Sequence, residues 1–337
     1  MMKKILYIGN KLSKHGNTAT SIETLGSFLE SEGFEVYYAS SKKNKIFRFF
    51  DMLLTTIWYA RKVDYVFIDT YSTQNFYYAL ATSQLCRLFN VKYIAKLHGG
   101  DLPNRIKRSP YFSDLIFKNA YKISAPSDYL LAAFRENYAA NLIYIPNTIE
   151  LQKYDFLKRN FIVPKLLWVR SFSKIYNPKM AIAVLYQLKK VYPNATLAMV
   201  GPDKEHLVED CKNYAADLGV EVTFTGKLTK EAWVALSKEY NVFINTTHFD
   251  NTPISVIEAM ALGLPVVSTN VGGIPFLISD KENGLLVADS DVDGMVSAII
   301  EIFNNEILTQ KIVDAARTTV ESFDWSVIKQ KWFEILK

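Results

Sequence analysis

The feature of the sequence that most constrains its fold is a regular alternation of short apolar runs with longer amphipathic segments. Runs of this kind form the strands of β-α-β units, whose sheets are parallel and covered by helices. In the first half of the chain the alternation predicts strands at 4–8, 34–39, 65–69, 92–97, 122–125 and 142–146, with helices such as 20–32 and 74–89 between them.

The alternation pauses over 148–163, which is polar and charged, and then resumes. We therefore predict an α/β chain of two Rossmann-like, doubly wound parallel-sheet domains that face each other across a cleft, over 1–155 and 156–320. The segment 321–337 reads as an amphipathic helix whose aromatic residues need a surface to pack against, and the N-terminal domain offers one. The further predicted strands are 166–169, 196–200, 222–224, 242–245 and 265–269, with helices at 178–191, 204–218 and 254–262.

Composition excludes several classes of protein. The 337 residues are 49% hydrophobic and 22% charged, which suffices for two cores of about 150 residues each. A net charge of +5 is too small to indicate a nucleic acid partner. No apolar run approaches the roughly 20 residues of a membrane span, and the first apolar stretch is too short for a signal peptide. We expect a cytoplasmic protein.

The sequence predicts no metal site and no disulfide. Cys86 and Cys211 are far apart and lack ligand spacing, so two reduced, packed thiols are expected. His206 and His248 have no partners at metal-ligand spacing. The segment 289–294 reads D-S-D-V-D-G, but the glutamate that closes a calcium loop is displaced by one residue. Capping of the following helix is the preferred interpretation.

The window 42–62 mixes lysines and arginines with aromatic residues at spacings that a helix would sort into a basic and an apolar face. Two interpretations remain open. The helix could pack into the core with a solvated edge, or it could make a peripheral contact with an anionic membrane, which would place the protein at the inner face of that membrane.

The segment 245–275 is the strongest candidate for a ligand site, because parallel sheets bind ligands in the loops after their strands. It reads as strand, loop, helix, glycine, strand and glycine pair. Pro253 suits the first helical position with Thr252 as its cap, and Gly263 suits the position past the helix end. Free N–H groups at about 254–256 would then form an anion site suited to a diphosphate, with Ile254 and Ser255 at its start.

Glu258 lies within this apolar helix, where an ionised carboxylate requires a partner. It could form an internal salt bridge or a cap, or it could accept hydrogen bonds from a ribose diol beside the diphosphate. Asp250, eight residues earlier, could accept hydrogen bonds from the hydroxyls of a sugar.

The segment 250–275 resembles the donor-binding signature of the retaining GT-B glycosyltransferases of family 4. That signature has two acids eight residues apart that flank a helix start, followed by E-A-M-A-x-G-x-P-V-V and a Gly-Gly-x-Pro loop. Further landmarks of the family extend the resemblance over essentially the whole chain. They are Gly16, Thr20, H-G-G-D at 98–101, P-S at 126–127, I-P-N-T at 145–148, Arg170, V-G-P at 200–202, F-T-G at 224–226 and F-D-W at 323–325.

The resemblance implies a role for each residue of the donor site. Glu258 matches the ribose-binding acid, and Asp250 stands in the place of a glutamate that contacts the sugar. Arg170 matches an arginine that clamps the donor diphosphate. The family's phosphate-binding lysine is replaced by Tyr176, and Lys174 is the nearest cation that could substitute for it. Thr252, Pro253, Ile254 and Ser255 complete the donor-binding set.

On the acceptor side, the resemblance implies that His98 lies near the sugar and donates to a hydroxyl. A packed or solvent-facing loop histidine is the alternative. Asp101 is expected to orient either the acceptor or His98, and Asn147 belongs to the same group. Gly16 is expected to let the backbone approach the donor phosphate or the acceptor.

The implied function is retaining, metal-independent transfer of a sugar from a UDP or GDP donor to a glycan or lipid-linked acceptor, for cell-surface polysaccharide or glycolipid synthesis. No cofactor besides the donor is implied. In such a reaction the departing β-phosphate oxygen takes the proton of the acceptor hydroxyl. The alternatives are a non-catalytic nucleotide-sugar-binding partner and a nucleotide-sugar epimerase of the same architecture. A nicotinamide dehydrogenase is disfavoured because the first loop lacks G-x-G-x-x-G.

Overall fold

A computed structural model describes residues 3–15 and 20–337. The chain divides into an N-terminal unit, Met1–Thr148 with Trp325–Lys337, and a C-terminal unit, Ile149–Asp324. The boundaries therefore fall at 148/149 and 324/325, whereas the sequence predicts 155/156 and 320/321. Segment 149–155 belongs to the C-terminal unit because Ile149 bridges to Asp324 and Tyr154 packs into that unit's core.

The N-terminal unit contains a six-stranded parallel sheet in the order β2-β1-β3-β4-β5-β6. Its strands are β1 (Lys4–Ile8), β2 (Glu35–Ala39), β3 (Tyr65–Tyr71), β4 (Lys92–His98), β5 (Lys122–Ala125) and β6 (Leu142–Tyr144). Its helices up to the boundary are α1 (Ser21–Ser31), α2 (Lys45–Tyr59), α3 (Phe76–Leu88), α4 (Leu102–Arg108), α5 (Pro110–Phe117) and α6 (Asp128–Tyr138).

The C-terminal unit repeats this architecture with the order β12-β11-β10-β7-β8-β9. Its strands are β7 (Lys165–Val169), β8 (Thr196–Val200), β9 (Thr223–Gly226), β10 (Val242–Asn245), β11 (Val266–Thr269) and β12 (Leu285–Val287). Its helices are α7 (Pro178–Leu188), α8 (Val208–Asp217), α9 (Lys230–Leu236), α10 (Ile254–Ala261), α11 (Val292–Asn304) and α12 (Glu306–Glu321). The predicted pair of doubly wound parallel-sheet domains is confirmed.

The last helix, α13 (Trp325–Ile335), returns to the N-terminal unit. Trp332 stacks on Phe67 with ring centroids 5.2 Å apart, and Trp325 stacks on Phe28 at 4.8 Å. Its aromatic side chains therefore pack on the face of the sheet that α1 also covers, while α2 to α6 supply the core of the other face.

Strand order determines where each sheet can bind a ligand. In the N-terminal sheet the order reverses between β1 and β3, and in the C-terminal sheet it reverses between β7 and β10. At such a switch point the two following loops run in opposite directions and leave a crevice at the carboxyl ends of the strands. The C-terminal sheet is therefore expected to bind a ligand at the loops after β7 and β10.

Helix α2 differs from an ordinary core helix. Its N-cap Asn44 accepts hydrogen bonds from the N–H groups of Ile46 and Phe47, and only Arg48, Met52 and Thr56 are buried. Six large apolar side chains of this helix are 47% to 70% exposed, namely Ile46, Phe47, Phe50, Leu54, Ile57 and Trp58. Within 3–15 and 20–337, none of the helices has both the length and the apolar character needed to cross a bilayer.

Two smaller predictions are confirmed. Cys86 and Cys211 are buried free thiols. Asp291 caps α11, since its Oδ1 accepts a hydrogen bond from the N–H of Gly294 at 2.8 Å.

Candidate donor site

Arg170 and Asp250 meet at the switch point of the C-terminal sheet. Arg170 directly follows β7 and Asp250 lies in the loop after β10, and their side chains form an ion pair that is only 11% and 19% exposed. Arg170 also donates from Nε to Asn245 Oδ1 at 3.3 Å and lies 4.5 Å from the ring centroid of Tyr176. Burial lowers the pKa of Arg170 to about 10, so the guanidinium stays charged at neutral pH.

Glycines hold both members of this pair in place. A Cβ on Gly201 would lie 1.8 Å from the carbonyl oxygen of Arg170. A Cβ on Gly272 would lie 2.3 Å from the carbonyl oxygen of Asp250. A Cβ on Gly273 would lie 2.1 Å from the carbonyl oxygen of Asn251. Gly273 also donates its N–H to the Asp250 carbonyl at 2.8 Å. The glycines of the sequence motif thus let the neighbouring loops pack against the backbone that carries the ion pair.

Gly273→Ala is expected to lower the free energy of unfolding by about 1–3 kcal/mol, the usual cost of an added methyl group that displaces packed atoms. The φ of Gly273, −90°, suits alanine, so the destabilisation comes from the clash of the added methyl group with Asn251. Urea unfolding measures this effect. The control is Gly219→Ala, where φ is +67° but no atom lies within 4 Å of the new Cβ.

Of the two variants, we expect only Gly273→Ala to weaken nucleotide binding as well, because it displaces the Asp250 loop. Equal nucleotide affinity in the two variants would contradict the role given to the glycine pair.

The start of α10 differs from the prediction. The helix begins at Ile254, and Pro253 is its N-cap rather than its first residue, so Thr252 is not the cap. The reason is the extended ψ of Pro253, 119°, which directs its carbonyl toward the N–H groups of Val256 and Ile257 at 3.1 and 3.3 Å. The N–H of Val256, predicted to be free, is therefore bonded.

Three donors remain at this helix start. The N–H groups of Ile254 and Ser255 make no hydrogen bond with the residues that the structure describes. The buried hydroxyl of Ser255 likewise has no partner in the described part of the chain. Unpaired donors at the positive end of a helix form a binding site for an anion.

Glu258 lies one turn further along α10 and is 3% exposed. Its Oε1 accepts a hydrogen bond from the Tyr154 hydroxyl at 2.8 Å and forms an ion pair with the Lys230 ammonium. Both contacts use Oε1, and Oε2 accepts no hydrogen bond within 3–15 and 20–337. Burial raises the pKa of Glu258, whereas Lys230 and Tyr154 oppose that shift. The internal salt bridge is therefore present, and one carboxylate oxygen is left over for a ligand.

Tyr154 and Lys230 were not singled out in the sequence. Burial, and then the charge of Glu258, raise the pKa of Tyr154 well above its usual range, so it stays a hydrogen-bond donor. Arg317 fixes this tyrosine relative to α10 by donating to the carbonyl oxygens of Tyr154 and Ala261, at 3.3 and 2.7 Å. A cation at this end of a helix is favoured by the helix dipole.

In the N-terminal unit, His98 ends β4 and its Nε2 lies 2.7 Å from Oδ1 of Asp69 on β3. The side chain of His98 is 14% exposed and its ring lies on that of Tyr71, with centroids 4.9 Å apart. Asp101 does not orient His98: it lies at the start of α4, where it accepts a hydrogen bond from Asn104 at 2.7 Å and pairs with Arg108 at 3.6 Å. The acid that contacts His98 is Asp69.

The remaining predicted residues lie in loops. Lys174 is exposed and donates its backbone N–H to Glu205 at 2.9 Å, and Asn147 follows the edge strand β6. Gly16 lies outside the described residues. His248 pairs with Asp289 at 2.8 Å. Among the described residues, no group of three or more histidine, cysteine or acidic side chains could hold a metal ion.

The C-terminal half of the chain resembles a known protein family. Residues 158–319 match the family model of glycosyl transferases group 1. The chain is 25% identical to glycogen synthase of Mycobacterium tuberculosis over 194 residues, which are 56% of this chain and 46% of that protein. The chain spans about half the length of the curated relatives it matches.

Solved structures match the chain from end to end. Sucrose-phosphate synthase of Thermosynechococcus elongatus superposes with a TM-score of 0.81 at 19% identity, over 99% of this chain and 98% of that one. HepE of Anabaena, solved in complex with UDP-glucose, superposes with a TM-score of 0.78 at 18% identity, over 99% of each chain. Residues 158–319 therefore belong to the glycosyl transferases group 1 family, in a chain that has the GT-B fold.

Proposed function

We propose that the protein is a retaining glycosyltransferase that moves a hexose from a UDP or GDP donor to a glycan or lipid-linked acceptor without a metal ion. Cell-surface polysaccharide or glycolipid synthesis is the process it would serve. The observation that carries the proposal is the buried Glu258, with one oxygen unused, on the helix whose start presents three unpaired donors. The fold shared with HepE in complex with UDP-glucose favours UDP.

In this proposal each part of the donor has its own partners. The diphosphate binds the N–H groups of Ile254 and Ser255, the Ser255 hydroxyl and the guanidinium of Arg170. The ribose diol donates to Oε2 of Glu258. Asp250, which pairs with Arg170, accepts hydrogen bonds from the hydroxyls of the transferred sugar.

Transfer then needs charge stabilisation rather than a protein nucleophile. As the bond from the sugar to the β-phosphate oxygen breaks, negative charge grows on the phosphate and positive charge grows on the sugar ring. Arg170 and the start of α10 stabilise the phosphate, and Asp250 lies near the sugar. The acceptor hydroxyl forms the new bond on the same face of the sugar, and its proton passes to the departing phosphate oxygen.

A panel of UDP and GDP sugars screened by thermal unfolding tests the proposal. A ligand that binds only the folded state at 100 times its Kd stabilises it by about 2.7 kcal/mol, so the true donor should raise the Tm distinctly. Absence of stabilisation by every nucleotide sugar would count against a donor site. Binding without product would favour a non-catalytic partner, and conversion of the donor without an acceptor would favour an epimerase.

We further propose that the N-terminal unit docks on the anionic inner face of a membrane through α2. Exposed cations flank the apolar face of this helix, and Lys62 lies 4.0 Å from the ring centroid of Trp58. Asp51 is the only acid on the helix. A helix with large exposed apolar residues and basic ends suits the boundary between headgroups and acyl chains. The flanking cations are Lys42, Lys43, Lys45, Arg61 and Lys62.

The double substitution Phe47→Ser and Trp58→Ser is expected to weaken vesicle binding by about 100-fold, because each large apolar side chain contributes about 1.5 kcal/mol or more when buried. Sedimentation with vesicles that contain phosphatidylglycerol measures it. Ile307→Ser removes an 86% exposed apolar side chain of α12 and is the control. Failure of the unmodified protein to sediment at low salt would contradict membrane docking. A concentration-dependent dimer formed through α2 would show instead that a second copy of the chain covers this face.

A further inference from the structure

A buried carboxylate and a histidine meet at the carboxyl edge of the N-terminal sheet, beside its switch point. Asp69 is 4% exposed, and its Oδ1 lies 2.7 Å from Nε2 of His98 and 3.1 Å from the hydroxyl of Tyr7. Its Oδ2 is buried and has no hydrogen-bond partner within 3–15 and 20–337. A Cβ on Gly9 would lie 2.5 Å from that oxygen, so glycine at this position makes room for the carboxylate.

The contact determines which nitrogen of His98 carries the proton. An ionised carboxylate only accepts hydrogen bonds, so a neutral imidazole whose Nε2 contacts it must be protonated at Nε2 and unprotonated at Nδ1. Lys96 is buried in the same region: burial lowers the pKa of its ammonium to about 8, and the negative charge of Asp69 opposes that effect. Nδ1 of His98 makes no hydrogen bond with the described residues.

We propose that Asp69 is a positioning residue that fixes His98 as a hydrogen-bond acceptor, at Nδ1, for a hydroxyl of a saccharide that binds to the N-terminal unit. This inference rests on the proposed glycosyl transfer and changes the role of His98, which the family resemblance describes as a donor. The stacked ring of Tyr71 holds the imidazole plane on one side. Asp69 acts through His98 and does not itself contact the sugar.

Two groups on the neighbouring strand contact the imidazole. Asp69 lies 2.7 Å from Nε2 and Tyr71 stacks on the ring, so Nδ1 is the nitrogen that remains for a ligand. The titratable groups that surround the histidine on the neighbouring strands are Tyr7 of β1, Asp69 and Tyr71 of β3, and Lys96 of β4.

The first test does not depend on activity. Nitrogen-15 NMR of the protein, which has four histidines, reports the tautomer of each neutral ring, and His98→Gln identifies the resonance of His98. We expect a protonated Nε2 and an unprotonated Nδ1. The opposite tautomer in the folded protein would overturn the inference while leaving the proposed glycosyl transfer intact.

The second test is Asp69→Asn. The expected result is a loss in kcat of up to about 100-fold, the scale of a misplaced catalytic group, with a smaller change in KM for the donor. The nitrogen-15 spectrum of the variant should no longer show the Nε2-protonated tautomer of His98 alone, because an amide can donate to Nε2 as well as accept from it. Asp114→Asn is the matched control, because Asp114 also accepts a tyrosine hydroxyl, that of Tyr138 at 3.0 Å, but no histidine.

A purely structural role for Asp69 would lower the yield of folded protein without changing the tautomer of His98, and that outcome would overturn the proposal. If the unmodified protein shows no transfer with any donor, the proposed function fails, and the NMR result still decides the orientation of His98.

Discussion

Glu258→Gln is expected to leave the folded protein at least as stable as before and to weaken donor binding by about 100-fold. Burial raises the pKa of Glu258, so folding favours its neutral form. The stability that this side chain contributes is present at low pH and is lost as the pH rises from about 4.5 through the raised pKa. At neutral pH the ionised carboxylate therefore costs folding free energy, which glutamine removes.

The partners of Glu258 tolerate the change. Glutamine keeps an oxygen to accept the hydroxyl of Tyr154, and Lys230, whose side chain is 44% exposed, returns to water. Binding is affected differently, because a hydrogen bond to a charged group contributes about 1.5–3 kcal/mol and a neutral amide contributes less. The loss for a ribose diol amounts to about 100-fold in Kd.

Calorimetric unfolding with and without the donor, together with titration of the donor, measures both effects. Glu301→Gln is the matched control, since Glu301 also pairs with a lysine, Lys281, but lies on the surface of α11. A glutamine variant that loses several kcal/mol of stability and binds the donor normally would show that Glu258 serves the fold and not the ligand.

Arg170→Ala is expected to reduce transfer by about 1000-fold, the usual loss when a donor to a developing negative charge is removed. Arg170→Lys should keep only part of the wild-type transfer rate, because an ammonium cannot bind a phosphate through two N–H groups or stack on Tyr176 as a guanidinium does. Steady-state kinetics with the donor measures both variants.

Asp250→Asn distinguishes phosphate binding by Arg170 from a purely structural role of its ion pair with Asp250. Both Arg170→Ala and Asp250→Asn break the same buried ion pair, but only the first removes the phosphate ligand. We expect Arg170→Ala to lose affinity for free UDP, whereas Asp250→Asn keeps it and loses discrimination between sugars. Equal loss of UDP affinity in the two variants would mean that the ion pair is only structural.

The sequence predicted the sheets well because buried parallel strands are continuous apolar runs. The bounds of β1, β5, β8 and β10 agree with the predicted strands residue for residue. The missed strand is β12, a three-residue strand at the edge of the C-terminal sheet. The sequence pattern places Pro253 inside the helix because the fixed φ of proline suits both the cap and the first helical position, and only ψ distinguishes the two.

The partners of the site residues could not be predicted in the same way. Tyr154 lies 104 positions before Glu258, Lys230 lies 28 before it, and Asp69 lies 29 before His98. Local patterns show that Glu258 needs a partner but not which residue supplies it, since strand order brings these positions together. Similarly, the charge pattern of 42–62 predicted a helix with two faces, and only the fold shows that the apolar side chains of α2 are exposed.

Proton NMR of the reaction shows whether the protein transfers a sugar and whether the anomeric configuration is retained. The donor identified by the nucleotide-sugar panel is incubated with the protein and an extract of glycolipid or glycan acceptors. We expect free nucleoside diphosphate and a product with the anomeric configuration of the donor, and we expect neither with Arg170→Ala. A product of inverted configuration, or no product from a donor that binds, would contradict it.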